Sequence, residues 1–147
     1  MFGLFIWLFD NYLWKTNLFQ RLEFLYIPNL NGVWETEIKT SFENFSDSIK
    51  AKTIIRQTAT WISISFETEE STSYSIHAAL VRVDRAKKYE LIYVYENKPK
   101  ADSVKSMNIH NGTAWLQILD HNDVLEGEYY TGRGRQNFGK VTITRTK

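Results

Sequence analysis

Cysteine is absent from this 147-residue chain, so neither a disulfide framework nor a thiolate metal site can form. That fits a reducing cytoplasm. An excess of one charge sign is missing too, with a formal net charge of +1. A general coat for DNA or RNA carries a strong basic excess. No nucleic acid is therefore expected as a partner, and any anion must be met by a local cluster. No hydrophobic run approaches the roughly 20 apolar residues that span a bilayer. The longest, Phe2–Phe9, is interrupted by Asp10. It has neither the basic start nor the small-residue cleavage site of a signal peptide. Histidine is scarce, and His77, His110 and His121 have no metal-ligand spacing. There is no serine-centred elbow, no phosphate loop with its lysine and no helical His-Glu metal motif. Glu35 and Glu37 share a strand face but alternate with Trp34, Thr36 and Ile38, as solvated residues do. These patterns give no support to an enzyme, and no catalytic residue, metal or cofactor is expected. Internal repeats and low-complexity tracts are also absent.

What is present is aromatic: 15% of the chain, including five tryptophans. Such residues enrich strands, interfaces and membrane edges. The length suits one domain with a real core. Two regions differ in pattern. From Met1 to about residue 29, Tyr12, Leu13, Trp14, Leu18, Phe19, Leu22, Leu25 and Tyr26 continue the apolar run at helical spacing. Pro28 is expected to end that helix by disfavouring helical geometry at Ile27. Two readings stand. One is an amphipathic helix that packs on or caps the core. The other is the tail of a transmembrane helix cut upstream, with Trp7, Tyr12 and Trp14 as an interfacial belt and Lys15 and Arg21 on the cytoplasmic side.

From residue 30 to 147 the period is two. Strands are expected at Val33–Thr40, Ile49–Thr58, Trp61–Thr68, Ser73–Val83, Tyr89–Glu96, Thr113–Leu119, Val124–Tyr130 and Lys140–Arg145. Tyr74, Ile76, Ala78 and Leu80 alternate with Ser73, Ser75 and His77. Turn signals at 69–71, 84–87, 120–123 and 132–134 separate the runs. The expected fold is all-β, a compact eight-stranded antiparallel β-barrel behind an N-terminal helical segment. Closure removes the sheet edges, and a small barrel can hold one ligand at its mouth. The segment Asn97–Asn111 is expected as a long non-strand insert.

The richest chemistry lies in the hairpin Gly127–Gly139. Tyr130 can stack on a planar ligand, Thr131 can hydrogen-bond, and Arg133 and Arg135, alternating about Gly134, can fork onto phosphates. A second patch combines Tyr93 and Tyr95 with Asn97, an amide able to read base edges. The candidate ligand-binding residues are thus Tyr95, Asn97, Tyr130, Thr131, Arg133 and Arg135. His77 reads as a wall residue.

Ordered short motifs carry a further reading. Leu30-Asn31-Gly32-Val33-Trp34, Ile55-Arg56-Gln57-Thr58, Tyr93 to Pro99, His110-Asn111-Gly112-Thr113 and Leu125 to Arg135 with Gly139 follow one another along the barrel. Together they resemble the SMODS-associated two-transmembrane β-barrel effectors of bacterial anti-phage signalling (CBASS). The resemblance implies a cytoplasmic barrel that binds a cyclic dinucleotide from a partner nucleotidyltransferase (CD-NTase). It also implies inner-membrane attachment through the N-terminal segment, homo-oligomerisation on activation and membrane disruption that halts the infected cell. The chain departs from the pattern at its start, which is expected to hold at most the end of one membrane helix. Two alternatives stand beside it: a lipocalin-like barrel for an apolar molecule, and a membrane-tethered interaction domain.

Overall fold

In the computed structural model, which describes residues 2–22, 26–83, 88–104, 108–132 and 136–146, every expected strand forms. They are β1 (Gly32–Thr40), β2 (Ser48–Gln57), β3 (Ile62–Glu67), β4 (Ser71–Arg82), β5 (Tyr89–Pro99), β6 (His110–Leu119), β7 (Val124–Thr131) and β8 (Phe138–Arg145). Each pairs antiparallel with its sequence neighbour, and β8 returns to β1, closing the barrel.

Two boundaries differ from expectation. The supposed insert Asn97–Asn111 is much shorter, because β5 runs on to Pro99 and β6 begins at His110. The pairs Glu96↔Asn111 and Asn97↔His110 continue the ladder there, so backbone pairing outlasts the apolar alternation. In β4 the alternation breaks. Ser75 faces Tyr95 but His77 faces Val94, leaving Ile76 as the extra residue of a bulge. A single added residue reverses which side chains face inward. Ser73 is therefore buried and Tyr74 exposed, whereas Ala78 and Leu80 pack against the core beyond the bulge.

The inward side chains change character along the barrel. Leu91, Tyr93, Tyr95 and Asn97 follow each other on the inner face of β5, and all are buried. On β7 the inward order is Leu125, Gly127, Tyr129 and Thr131. One end is thus aliphatic, closed by Trp34, Leu30, Ile55, Leu116, Leu125 and Ile143. Burying each such aliphatic contributes about 1.5–3 kcal/mol. The other end is lined by hydroxyls, phenols and an amide.

The closed end is locked by the chain entering β1. The side chain of Gln57 accepts from the Leu30 amide (2.8 Å) and donates to the Pro28 carbonyl (3.0 Å). Asn31 pairs with the backbone of Gln57 in both directions. The guanidinium of Arg145 lies 4.2 Å over the Trp34 ring. It donates to the carbonyls of Asn31, Asn29 and Asn122 and to the Asp123 carboxylate.

The N-terminal segment is less continuous than its periodicity predicts. Helix α1 covers Phe2–Asn11 and α2 covers Asn17–Arg21, with a 3-10 turn at Leu13–Lys15 between them. The helix ends at Arg21, well before Pro28, because Leu22 is already extended (φ -76°, ψ 106°). The Gln20 amide donates to the Trp14 and Ile27 carbonyls, which ties the segment back on itself. Trp14 is fully buried, but α1 buries none of its residues, so the core-packing reading fails for Phe2–Leu8. α1 is tied to the barrel at its end, where Asp10 accepts from Ala59 and Thr60 in the β2–β3 turn. Among the described residues no helix is long and apolar enough to cross a membrane.

Candidate functional site

Strand direction alternates, so the connections after β1, β3, β5 and β7 gather at the polar end. There the barrel opens into a cavity of about 690 Å³. The inward hydroxyls of Thr40, Ser71, Ser73 and Thr131 and the amide of Asn97 line it, with the rings of Tyr93, Tyr95 and Tyr129. Glu43, Lys50 and His110 join from the turns and strand ends.

Local geometry fixes several of these groups. The Ser73 hydroxyl donates to the Asn97 side-chain oxygen at 2.7 Å, both residues being buried. That bond sets which way the Asn97 amide points. Deeper in, the hydroxyls of Thr36 and Thr53 meet at 2.6 Å, so these buried polar atoms satisfy each other. The rings of Tyr93 and Tyr95 are 6.0 Å apart and tilted by 51°. Burial pushes the Tyr93 phenol far above its usual range, which keeps it protonated and neutral.

Two cross-strand glycines seat the other tyrosines. Tyr95 pairs with Gly112 and Tyr129 with Gly139. The phenol end of Tyr95 occupies the space a Cβ at Gly112 would need, and the ring of Tyr129 does the same at Gly139. Each ring therefore lies against bare backbone on the next strand, an arrangement that shields a strand glycine and holds the ring.

Of the residues singled out from sequence, Tyr95, Asn97 and Thr131 come together in this cavity. The Thr131 hydroxyl is also engaged structurally, donating to the Asn137 carbonyl (3.0 Å) and accepting from its amide (2.9 Å). Arg133 and Arg135, with Gly134, lie outside the described residues. Tyr130 does not line the cavity. Strand alternation turns Tyr129 inward and Tyr130 outward, where it is 50% exposed and donates to the Glu128 carboxylate at 3.0 Å. That hydrogen bond, reinforced by the Glu128 charge, raises the Tyr130 phenol above its ordinary value. The sequence reading missed Tyr129, Ser71, Ser73 and Thr40. Their signal was present as hydroxyls at positions that alternate with exposed ones near strand ends. Among the described residues no group of three or more His, Cys, Asp or Glu side chains could hold a metal ion.

Residues 25–145 match the family model described as Cap15, cyclic dinucleotide receptor domain. The chain belongs to this family. Relatives agree with that assignment. The CD-NTase-associated protein 15 of Yersinia aleksiciae is 33% identical over 143 residues, 97% of this chain and 66% of that protein. The protein of the same name from Escherichia albertii is 27% identical over 138 residues, covering 92% of this chain and 69% of the relative. That from Staphylococcus schleiferi is 32% identical over 124 residues, 84% of this chain and 64% of the relative. The chain thus spans about two thirds of the length of the curated relatives it matches. The resemblance to the CBASS effector barrels read from the ordered motifs holds at the level of the family.

Proposed function

We propose that this chain is the sensing barrel of a CBASS effector and that its open-end cavity binds a cyclic dinucleotide supplied by a CD-NTase. The observation carrying this reading is a 690 Å³ cavity lined by tyrosines, hydroxyls and one oriented amide, in a family described as cyclic dinucleotide receptors. Its volume falls within the roughly 300–1,000 Å³ of small-molecule sites. A cyclic dinucleotide offers two planar bases and two phosphates. The rings of Tyr95 and Tyr129 suit the bases, and Asn97 with the hydroxyls suits their polar edges. Lys50 brings a cation to the described wall, beside the His110 imidazole and the carboxylates of Glu43, Glu69 and Glu70, and Arg133 and Arg135 add two more cations in the adjoining sequence. A near-neutral domain with a few local cations meets two phosphates without becoming a nucleic-acid coat. The wall also carries Ile38, Phe42, Ile49, Phe66 and Val141, so the lining alone does not exclude an apolar guest; the family described as cyclic dinucleotide receptors favours the nucleotide over the lipocalin-like reading.

The chain acts here as a receptor and not as an enzyme, and it needs no cofactor. The N-terminal segment would attach the barrel to the inner membrane with the barrel in the cytoplasm. Ligand binding would promote self-association and membrane disruption. The exposed apolar residues of α1, with Phe2 at 78% and Trp7 at 53% exposure, support the membrane part of that reading.

Thermal unfolding across a panel of cyclic dinucleotides tests the proposal. One compound at a hundredfold excess over its Kd is expected to add about 2.7 kcal/mol of stability. Absence of any shift across the panel would exclude the cavity as a cyclic dinucleotide site. Tyr130→Ala is expected to leave the affinity for the stabilising compound within about twofold, since this side chain faces outward; a tenfold loss by calorimetry would show that the outer wall takes part.

A further inference from the structure

Glu43 is the anomaly of the cavity wall. It ends the 3-10 turn Ser41–Glu43 that follows β1, and it lines the open-end cavity. The side chain is half-buried, and its Oε2 is shielded from solvent with no hydrogen-bond partner among the described residues. A buried carboxylate oxygen without a donor is costly, and native structures retain such an atom where something else explains it. The turn that carries Glu43 is fixed at its main chain. Thr40 accepts from the Phe42 amide through its hydroxyl and from the Phe45 amide through its carbonyl. The Glu43 carbonyl takes both the amide and the hydroxyl of Ser46. The chain then passes through two left-handed residues, Asn44 (φ 49°) and Phe45 (φ 60°), an uncommon conformation outside glycine. A rigid turn thus holds an unsatisfied acceptor at the mouth. Lys50, Glu69, Glu70 and His110 share that wall.

We infer that Glu43 is a specificity-determining ligand contact, accepting a hydrogen bond from a nucleobase N–H of the bound cyclic dinucleotide. The inference rests on the cavity being the cyclic dinucleotide site. The acceptor is a carboxylate, so it repels the ligand's phosphates and pairs with an uncharged donor. The Watson–Crick edges of the bases carry such N–H groups, in positions that differ from base to base. A fixed acceptor therefore separates ligands by base and not by phosphate. In this arrangement the ligand supplies the donor for that oxygen. Sites built in this way reject an analogue that leaves their polar group unpaired.

The test is titration calorimetry and thermal unfolding of the full chain, wild type, Glu43→Gln and Glu43→Ala. The probes are cyclic di-GMP, cyclic di-AMP, cyclic GMP–AMP and cyclic UMP–AMP. For the compound that wild type binds most tightly, both variants are expected to lose about 10- to 100-fold in affinity, the range of a hydrogen bond to a charged group. Compounds with other bases should lose less, so the panel's affinities converge. The ligand-free variants should melt no lower than wild type, because the unpartnered carboxylate is gone. Unchanged affinities, or equal losses for every compound (a contact to the shared sugar or phosphate), would overturn the inference. So would a lower melting temperature of the free protein accompanied by uniform losses, which marks a structural role. If wild type binds none of the four, the cavity reading itself fails and takes this inference with it.

Discussion

Arg145→Ala is expected to destabilise the barrel by about 3–5 kcal/mol, the cost of breaking a largely buried charged network. The side chain is only 25% exposed and reaches three carbonyls, one carboxylate and the face of Trp34. It joins the last strand to the segment entering the first and to the β6–β7 turn, so its loss leaves acceptors unpaired at several places at once. The carboxylate partner matters least, since Asp123 is 62% exposed and a surface ion pair contributes little. Arg145→Lys should recover less than half of the loss, because an ammonium cannot fork to several acceptors while lying flat on an indole. Urea unfolding of the three proteins measures this. A loss below 1 kcal/mol for Arg145→Ala would show that the closed end is held by aliphatic packing alone. The ligand affinity of the folded fraction should not change, since Arg145 lies at the end opposite the cavity.

Removing Tyr95 and Tyr129 together is expected to have the largest effect on ligand binding. Alanine substitution at a base-stacking aromatic costs about 1–3 kcal/mol per base, or roughly 10- to 100-fold for each ring. The two rings sit on separate strands, each seated on a glycine of the neighbouring strand. That seating matters for affinity as well as for folding, because a ring already held in place loses little freedom when a base meets it. Gly112→Ala is expected to act in the same direction, since its new Cβ collides with the Tyr95 phenol and with the Tyr130 carbonyl. Calorimetry with the stabilising compound, on variants shown folded by circular dichroism, checks the series. Equal affinity for wild type and the Tyr95→Ala/Tyr129→Ala double variant would remove stacking from the account.

The strands could be read from the chain because period-two alternation is what a half-buried sheet imposes on a sequence. What the alternation could not reveal was its own interruption. Ser75 and His77 look equivalent in sequence, yet the bulge at Ile76 shifts the register between them, and beyond it Ala78 and Leu80 take over the inward face. The adjacent tyrosines of β7 follow the alternation. Alternation counted from buried Leu125 puts Tyr129 and not Tyr130 on the inner face, and the ring of Tyr129 then fills the space over Gly139. That Tyr95, Asn97 and Thr131 line the cavity was legible because each combines a polar or aromatic side chain with a position near a strand end. Glu43 was not, because its interest lies in a missing partner, and only three-dimensional packing can show that. The N-terminal helix was overextended for a related reason. Helical spacing persists through Leu25 and Tyr26, but α2 ends at Arg21, where Leu22 turns extended and the Gln20 side chain bonds the Trp14 and Ile27 carbonyls.

The central claim is that the hydroxyl-lined end of the barrel, and no other surface, receives the cyclic dinucleotide. Amide chemical shifts of the isotope-labelled protein, titrated with the compound that raises its melting temperature, test this most directly. The account predicts that the largest perturbations fall on Thr40, Glu43, Ser73, Asn97, Tyr129 and Thr131, with Leu30, Trp34 and Arg145 nearly unmoved. Perturbations centred on the closed end or the outer wall, with those six amides unmoved, would contradict it.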